Sequence, residues 1–289
     1  MKYISAVIVV TAMAFLLSSC GKKEVASDTN IIFLHHSTGS FIWYGKRASV
    51  FNRGIGLISM DLRRKVRREG KVPKYFKAYN ELHGTTYHIE EQIFPKDEPY
   101  GWDNFPYDYY NIWVRNAGEK HYMEEPTLEI LSKQYQVIIF KHCFPVSRIN
   151  ADQDQADINS DFKSQSNYKL QYLALRDKLH EFPESKFILF TGAVHVEANL
   201  RRDQAERAKE FFDWVKEEWD LPGDNVYLWD LYSVQTEGGL YFKNEYALSE
   251  SNSHPNNTFS TYAGKLLSDR IIDVIENNGE GTLLTGIEK

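Results

Sequence analysis

The sequence predicts a three-layer α/β/α fold, in which a mostly parallel β-sheet lies between two layers of helices. Two observations favour this fold. Short, continuous apolar runs are typical of strands buried on both faces of a sheet, and segments with the apolar spacing of helices alternate with them along the chain. Such alternation indicates βαβ units. No linker rich in Pro, Gly or Ser interrupts residues 30–280, so they are predicted to form one domain, and residues 281–289 are predicted to be a tail.

Five segments are predicted to be strands, and most of them are apolar runs that end directly before polar clusters. Residues 31–34, 137–140, 186–190 and 225–229 are expected to be neighbouring parallel strands whose carboxyl ends share one edge. A fifth strand is predicted at residues 87–93. Helices are predicted where apolar residues recur at spacings of three and four. These are residues 57–69, 126–132, 168–180, 203–219 and 257–276.

Residues 95–125 form an aromatic-rich segment without a clear period, predicted to be an insertion that folds over one end of the sheet. Two interpretations remain open. The segment is either a packed surface loop or a substrate platform, since aromatic faces can stack on sugar rings. Its aromatic residues include Trp102, Phe105, Tyr107, Tyr109, Tyr110 and Trp113.

The composition excludes two broad classes of protein. With 42% hydrophobic and 14% aromatic residues the chain can bury a substantial core, which argues against intrinsic disorder. The 34 Lys and Arg residues are outnumbered by 40 Asp and Glu residues, giving a formal net charge of -6. This balance lacks the basic excess of nucleic-acid-binding proteins, so no nucleic acid partner is expected.

The first twenty residues are predicted to be a lipoprotein signal peptide. An apolar run at residues 4–17 follows Lys2 and is shorter than a membrane-spanning helix requires. It ends in the residues LSSCG, which resemble a lipobox whose Cys20 is lipidated. Residues 21–29 would be a tether, and the mature protein would be held at the cell envelope by lipid alone, facing the periplasm or the cell surface. Cys143 is the remaining cysteine, so no intramolecular disulfide is expected.

Polar residues follow the predicted strands at the edge where α/β sheets bind ligands. Residues 35–40 (HHSTGS) follow the first strand, and residues 251–256 (SNSHPN) precede the last helix. Ser37 can act as a nucleophile at a strand-to-helix turn, where a helix N-terminus stabilises a developing oxyanion. His254 can reach the same edge as general base. Serine is also common as a helix N-cap, but together with His254 the nucleophile interpretation is preferred.

At these residues the chain resembles the SGNH/GDSL hydrolase superfamily, in a divergent bacterial form with the block HHSTG at residues 35–39. The similarity extends to residues 141–145 (KHCFP) and 253–256 (SHPN), and spans residues 30–278. The resemblance implies a flavodoxin-like α/β/α fold. Separately, no cofactor or metal is expected, since no H-x-H or C-x-x-C spacing is present. It also implies that Ser37 attacks an ester, for instance an O-acetyl group on a glycan, with His254 as base.

Two parts of the family pattern are altered. Ser251 stands where the family has the aspartate of its D-x-x-H motif, so Asn252 could orient the imidazole, or Glu250 or Asp230 could supply a carboxylate. The sequence also leaves open which groups hold the oxyanion. Backbone N–H groups of Ser37 and Gly39 are candidates. His142, or backbone near Cys143, stands where the family has an asparagine, and the glycine of the second block could be Gly84 or Gly54.

Other residues at this edge are expected to be structural. Adjacent residues of a strand point to opposite faces, so His35 and His36 are not expected to bind a metal together. Cys143 is expected to be a small core residue rather than a nucleophile. The sequence therefore leaves two alternative functions for the chain. One is a lipid-anchored serine esterase, and the alternative is a catalytically silent SGNH-like lipoprotein that binds glycan or a partner protein.

Overall fold

A computed structural model describes residues 28–46, 70–96, 100 and 103–289. Its main sheet contains five strands, all parallel, in the order β2-β1-β3-β4-β5. This is the strand order of doubly wound sheets of the flavodoxin type. The strands are β1 (Thr29–His35), β2 (Tyr87–Ile93), β3 (Val137–Phe140), β4 (Lys186–Phe190) and β5 (Val226–Trp229). The prediction that four of them are parallel neighbours sharing one edge is confirmed.

Helices cover both faces of the sheet. Phe33 of β1 pairs in register with Ile139, so Phe33 and Phe140 point to opposite faces. Phe33 contacts Trp43 of the first helix, whereas Phe140 contacts Tyr109 of a later one. The helices are α1 (Ser37–Tyr44), α2 (Lys71–His83), α3 (Pro106–Tyr109), α4 (Leu128–Leu131), α5 (Gln165–His180), α6 (Arg202–Trp214), α7 (Leu231–Thr236) and α8 (Asn257–Asn277).

The two groups of helices form separate layers. Helices α1, α2 and α8 contact one another, and α3, α5 and α6 form a second contacting group. Helices α3 and α6 each continue into a π-helical turn, Tyr110–Arg115 and Val215–Trp219. Helix α5 begins three residues before the predicted start, because Ser164 caps it by accepting a hydrogen bond from the Asn167 N–H group. The helix predicted at residues 57–69 lies outside the described residues.

The aromatic segment contributes to the core in the part that is described. Phe105, Tyr109, Tyr110 and Trp113 are all buried. Trp113 stacks on Phe94 at the end of β2. Burial therefore supports the packed interpretation for these four side chains, while Trp102 lies outside the described residues.

A short antiparallel hairpin precedes the last helix. It consists of β6 (Ala247–Ser249) and β7 (Asn252–Pro255), and α8 follows directly. Asn256 caps α8 by accepting a hydrogen bond from the Phe259 N–H group at 2.9 Å. The hairpin thereby has a fixed connection to a helix that contacts α1.

Residues 281–289, predicted to be a tail, pack onto the last strand. The Leu284 carbonyl accepts a hydrogen bond from the Asp230 N–H group at 2.8 Å. The Thr285 carbonyl accepts one from the Trp229 indole at 3.0 Å. Among the helices of the described part of the chain, none is long and apolar enough to cross a membrane.

Candidate active site

Ser37 stands at the turn between helix α1 and strand β1, which lies between β2 and β3 in the sheet. His36 is the N-cap residue and Ser37 is the first residue of the helix, with an exposed side chain. The helix approaches its own strand closely, since a Cβ atom at Gly39 would lie 2.4 Å from the Cβ of His35. Glycine at this position is therefore what lets α1 start directly after β1 and present Ser37 at the edge of the sheet.

His254 lies on β7, and its side chain reaches Ser37. The distance between His254 Nε2 and Ser37 Oγ is 2.9 Å. On the other side of the ring, His254 Nδ1 lies 3.0 Å from Asn252 Oδ1, which also accepts the His254 backbone N–H at 3.1 Å. An amide oxygen only accepts, so Nδ1 carries the proton and Nε2 presents its lone pair to the Ser37 hydroxyl. This is the tautomer that a general base requires.

Two aromatic rings hold the imidazole from the sides. The ring centroid of Phe41 lies 5.2 Å from that of His254, and the ring of Phe144 lies 5.3 Å away in an edge-to-face arrangement. Both phenylalanines are half-buried. The His254 ring is thus fixed by packing as well as by its two hydrogen bonds, which is what a preorganised base needs.

Neither carboxylate candidate orients His254. Asp230 caps α7 instead, accepting from Thr191 Oγ1 at 2.5 Å and from Ser233 Oγ at 2.6 Å. Glu250 is exposed in the turn of the hairpin. Because Asn252 occupies the Nδ1 side of the ring, the prediction that Asp230 or Glu250 supplies the orienting carboxylate is wrong, and the amide alternative describes the geometry.

His195, at the exit of β4, anchors the strand that carries His254. The Ser253 hydroxyl accepts from the Val196 N–H at 3.1 Å and from Asn199 Nδ2 at 3.0 Å, so its own proton is donated to His195 Nδ1 at 3.0 Å. Burial, with smaller contributions from the charges of Arg148 and His254, lowers the pKa of His195 to about 4. His195 is therefore neutral near pH 7. His195 follows the predicted strand at residues 186–190 in the sequence, but nothing in its spacing indicated Ser253 as its partner.

Backbone N–H groups at the start of α1 are the oxyanion donors that the geometry offers. The first hydrogen bond of the helix is donated by the Ser40 N–H to the His36 carbonyl at 3.0 Å. The N–H groups of Ser37, Thr38 and Gly39 precede it and have no carbonyl partner within the helix. They belong to the first turn of the helix that begins with Ser37, and they include the predicted donors Ser37 and Gly39.

The other oxyanion candidates lie elsewhere. His142 is buried in the core, in ring contact with Tyr109 and Tyr172, and burial lowers its pKa well below the usual value. Cys143 N–H is already donated to the Asn104 carbonyl at 2.7 Å. Gly84 ends α2 before β2 begins, at the opposite edge of the sheet. Gly54 lies outside the described residues.

Asn104 is a residue of the site that the sequence analysis missed. Its carbonyl accepts from Cys143 after β3, and its Nδ2 donates to the Phe94 carbonyl after β2 at 2.5 Å and to the Tyr109 hydroxyl at 3.2 Å. Its φ of 49° lies in the left-handed region, which asparagine tolerates. Asn104 thus connects the segments that follow β2 and β3 to helix α3. Its position in an aperiodic segment gave no signal for this role.

The two histidines before Ser37 make structural contacts. His35 Nε2 lies 2.7 Å from Glu91 Oε2 on β2, and His35 Nδ1 lies 2.8 Å from the His36 carbonyl. His36 Nε2 bonds to the Pro95 carbonyl. Within the described ranges, no group of three His, Cys, Asp or Glu side chains could hold a metal ion.

Comparison of the chain with known proteins found no relative. No protein-family model, no curated protein and no solved structure matches this chain.

Proposed function

We propose that the protein is a serine hydrolase of the SGNH type that cleaves an ester by way of an acyl-enzyme. The observation that carries the proposal is the 2.9 Å contact between Ser37 Oγ and His254 Nε2, with Asn252 on the other ring nitrogen. The contact lies beside the exits of β1 and β3, where the strand order of the sheet reverses. Open α/β sheets bind their ligands at this point.

In the first half of the reaction, His254 Nε2 takes the hydroxyl proton as Ser37 Oγ attacks the ester carbonyl. The C–O bond to the alcohol breaks when His254 returns that proton to the leaving oxygen. In the second half, His254 takes a proton from water as the water oxygen attacks the acyl carbon. The bond from that carbon to Ser37 Oγ then breaks as His254 returns the proton to Oγ, which releases the acid. Asn252 keeps the proton on Nδ1 throughout, so Nε2 remains the reacting nitrogen.

The tetrahedral intermediates carry a negative oxygen that needs donors. The N–H groups of Ser37 and Gly39, with the N-terminal dipole of α1, supply them without any reorganisation. Oxyanion donors are typically worth about 10²–10³-fold in rate each. Such preorganised N–H groups would compensate in part for the missing carboxylate.

The proposed substrate is an ester with a small acyl group, such as an O-acetyl group on a glycan. Ser37 is exposed and stands on the surface, where a long chain of sugars can approach. Beside it, Phe41 and Phe144 flank His254 with half-buried apolar faces. An acetylated sugar ring offers both a compact acyl group and an apolar face to such a surface.

We also propose that lipid on Cys20 holds the enzyme at the cell envelope. The support is the lipobox in the sequence, which lies outside the described residues. Changing Cys20 to Ala should release the protein into the soluble fraction. Membrane retention of that variant, or a mature N-terminus upstream of Cys20, contradicts the anchor.

The deciding experiment compares the wild type with Ser37→Ala on short-chain nitrophenyl esters and on acetylated polysaccharides. Hydrolysis by the wild type that disappears in the variant supports the enzyme. The second candidate function is a silent glycan- or protein-binding lipoprotein, and the amide at Asn252 in place of a carboxylate favours it. A wild type that binds acetylated polysaccharide but releases no acetate would establish that alternative.

A further inference from the structure

A buried histidine packs against the start of helix α1, and the Ser–His mechanism does not use it. His35 is the last residue of β1 and is 1% exposed. Its Nδ1 lies 2.8 Å from the carbonyl oxygen of His36, and its Nε2 lies 2.7 Å from Glu91 Oε2 on β2. Both ring nitrogens therefore have a partner within hydrogen-bond distance.

These two partners determine the protonation state of the His35 ring. A backbone carbonyl oxygen only accepts a hydrogen bond, so Nδ1 must carry a proton. The carboxylate of Glu91 also only accepts, so Nε2 must carry a second proton. A ring with protons on both nitrogens is an imidazolium, and His35 and Glu91 thus form a buried ion pair. Burial of a charge is tolerated where the charge is paired and hydrogen-bonded in this way.

A tyrosine at the end of α1 holds Glu91 in this role. The Tyr44 hydroxyl donates to Glu91 Oε1, the oxygen that does not contact His35. Both carboxylate oxygens therefore accept a hydrogen bond, which favours the ionised form of the carboxylate. The contacts from Tyr44 through Glu91 to His35 connect the end of α1, strand β2 and the end of β1.

The His35 ring lies against the turn that offers the oxyanion donors. A Cβ atom at Gly39 would lie 2.6 Å from His35 Cγ and 3.0 Å from His35 Nδ1. The His36 carbonyl that accepts from His35 Nδ1 also accepts the first hydrogen bond of α1, from the Ser40 N–H at 3.0 Å. The first carbonyl of the helix is thus held by the imidazolium as well as by the backbone. The same turn carries the N–H groups of Ser37 and Gly39.

We propose that His35 is a positioning residue of the site, a buried imidazolium that fixes the first turn of α1 and stabilises the oxyanion formed there. Its ring contacts Gly39, whereas the balancing carboxylate of Glu91 lies on β2, so the positive end of the ion pair is the end at the site. Buried charges that are held in place act strongly on a developing charge, because they need no reorganisation. The catalytic consequence rests on the proposed hydrolase function, whereas the charge of His35 does not.

The proposal implies that activity falls when His35 loses its charge. At low pH His254 is protonated and is no base, so kcat rises with pH until that ring is neutral. At higher pH the His35 imidazolium loses a proton, and kcat falls again. Glu91 faces His35 from β2 and favours its charge, and Tyr44 of α1 acts through Glu91. Lys141 follows β3 next to His35 in the register, but burial lowers its pKa and so weakens its opposition to that charge.

The test observes the ring protons of His35 directly, by NMR of the full-length protein with isotope-labelled histidine, assigned through the backbone. We expect both ring nitrogens to be protonated near pH 7 in the wild type. Glu91→Gln keeps the volume and both contacts, because its amide oxygen accepts from Tyr44 and its NH₂ group donates to a neutral His35 ring. One ring nitrogen should therefore lack a proton in this variant. A nitrogen without a proton in the wild type near pH 7 overturns the proposal.

Ester hydrolysis measures the effect of this charge on the site. Glu91→Gln should lower kcat by about tenfold and leave KM nearly unchanged, since the oxyanion exists only after attack. The fall of kcat at high pH should also begin at a lower pH in this variant, which a merely structural defect would not produce. Glu90→Gln is the matched control, because Glu90 is an exposed neighbour that also accepts from a tyrosine hydroxyl, that of Tyr135. Equal kcat values for the two variants reject the positioning role.

The wild type alone decides the question if Glu91→Gln does not fold. Its kcat should fall over the same pH range in which NMR shows His35 losing a proton, and a fall over a different range rejects the positioning role. This proposal and the proposed function can also fail separately. A doubly protonated His35 in a protein that hydrolyses no ester would establish the ion pair and reject the hydrolase, and with it the catalytic consequence of the His35 charge.

Discussion

His254 Nε2 lies 2.9 Å from Ser37 Oγ, although 217 positions separate the two residues in the chain. The fold brings them together in two steps. Strand β1 lies next to β3, where the strand order reverses, so the start of α1 lies at the sheet's reversal point. Helix α8 packs against α1, and the hairpin before α8 therefore delivers His254 to the same place. The pairing is a property of the topology rather than of any local motif.

The first prediction concerns the two reacting residues. Ser37→Ala and His254→Ala should each remove ester hydrolysis, and loss of the base alone should cost about 10²–10⁴-fold in kcat. The fold should be retained, because Ser37 is exposed and His254 is half-buried. Activity is followed with nitrophenyl acetate and folding by circular dichroism.

Ser251→Ala is the matched control for this pair. Ser251 lies in the same hairpin, three residues before His254, where the D-x-x-H pattern that the sequence resembles has its aspartate. Its side chain is exposed, and the His254 ring is held by Asn252 instead. This variant should hydrolyse the ester like the wild type. If Ser37→Ala and His254→Ala are as active as Ser251→Ala, the Ser–His mechanism is wrong.

The second prediction concerns the group that orients His254. Asn252→Asp should raise kcat by about tenfold, the effect of about 1.4 kcal/mol on the barrier. A carboxylate at this position keeps the hydrogen bond to Nδ1 and adds a charge that stabilises the imidazolium formed in the reaction. Asn252→Ala should lower kcat, because the ring loses both its tautomer preference and its orientation. The measurement is kcat across pH.

Glu250→Gln serves as the control for Asn252, since Glu250 is exposed in the same hairpin. It should leave kcat and its pH profile unchanged. A loss of activity in Glu250→Gln larger than that in Asn252→Ala would show that the carboxylate moves to His254 in solution and that Asn252 is not the orienting residue.

The sheet and the contact between Ser37 and His254 were predictable because they depend on simple signals. The residues of β3 are a short, continuous apolar run. Such a run is typical of a strand that is buried on both faces of a parallel sheet. Once the strands are placed, their carboxyl ends define the edge of the sheet where ligands bind. Ser37 follows the carboxyl end of the first strand. The position of His254 directly before the last helix then suffices to bring it to this edge.

The orienting and anchoring residues could not be predicted in the same way. Asn252 and His254 are two positions apart on β7 and therefore lie on the same side of the strand, whereas Glu250 lies in the turn before it. Which of the two side chains faces the ring thus depends on the conformation of that turn. Asp230 was a reasonable carboxylate by position, but its oxygens are taken by Thr191 and Ser233. The role of Asn104 depends on long-range backbone contacts that leave no periodic pattern.

The third prediction concerns the close approach of α1 to β1. Gly39→Ala should destabilise the protein by about 1–3 kcal/mol, as expected for overpacking. The added Cβ would lie 2.4 Å from the Cβ of His35, so the helix or the strand must shift. A shift of α1 also moves Ser37 away from His254, so kcat should fall with stability. Urea unfolding and ester hydrolysis measure the two effects, and unchanged values for both would contradict the packing described here.

The fourth prediction is a pH dependence of stability that originates in His195. Burial lowers its pKa from the usual 6.5 to about 4 in the folded protein. Between these two values the unfolded chain binds a proton that the folded chain does not. The contribution of His195 to the free energy of unfolding should therefore be highest above about pH 6.5, fall as the pH falls toward 4, and stay level below that. A shift of this size corresponds to about 3 kcal/mol.

His195→Asn isolates this contribution. Its amide oxygen can accept the Ser253 hydroxyl as Nδ1 does, but it does not titrate. Burial raises the pKa of Asp108, Glu125 and Asp220 to about 7, so these carboxyls lower stability as the pH rises from about 4 to 7. Because both chains share that effect, the difference between their unfolding free energies cancels it. The wild type should lose stability relative to His195→Asn between pH 7 and pH 4, measured by urea unfolding. A difference that is constant over this range would mean that His195 titrates normally and does not hold Ser253 in the neutral state described here.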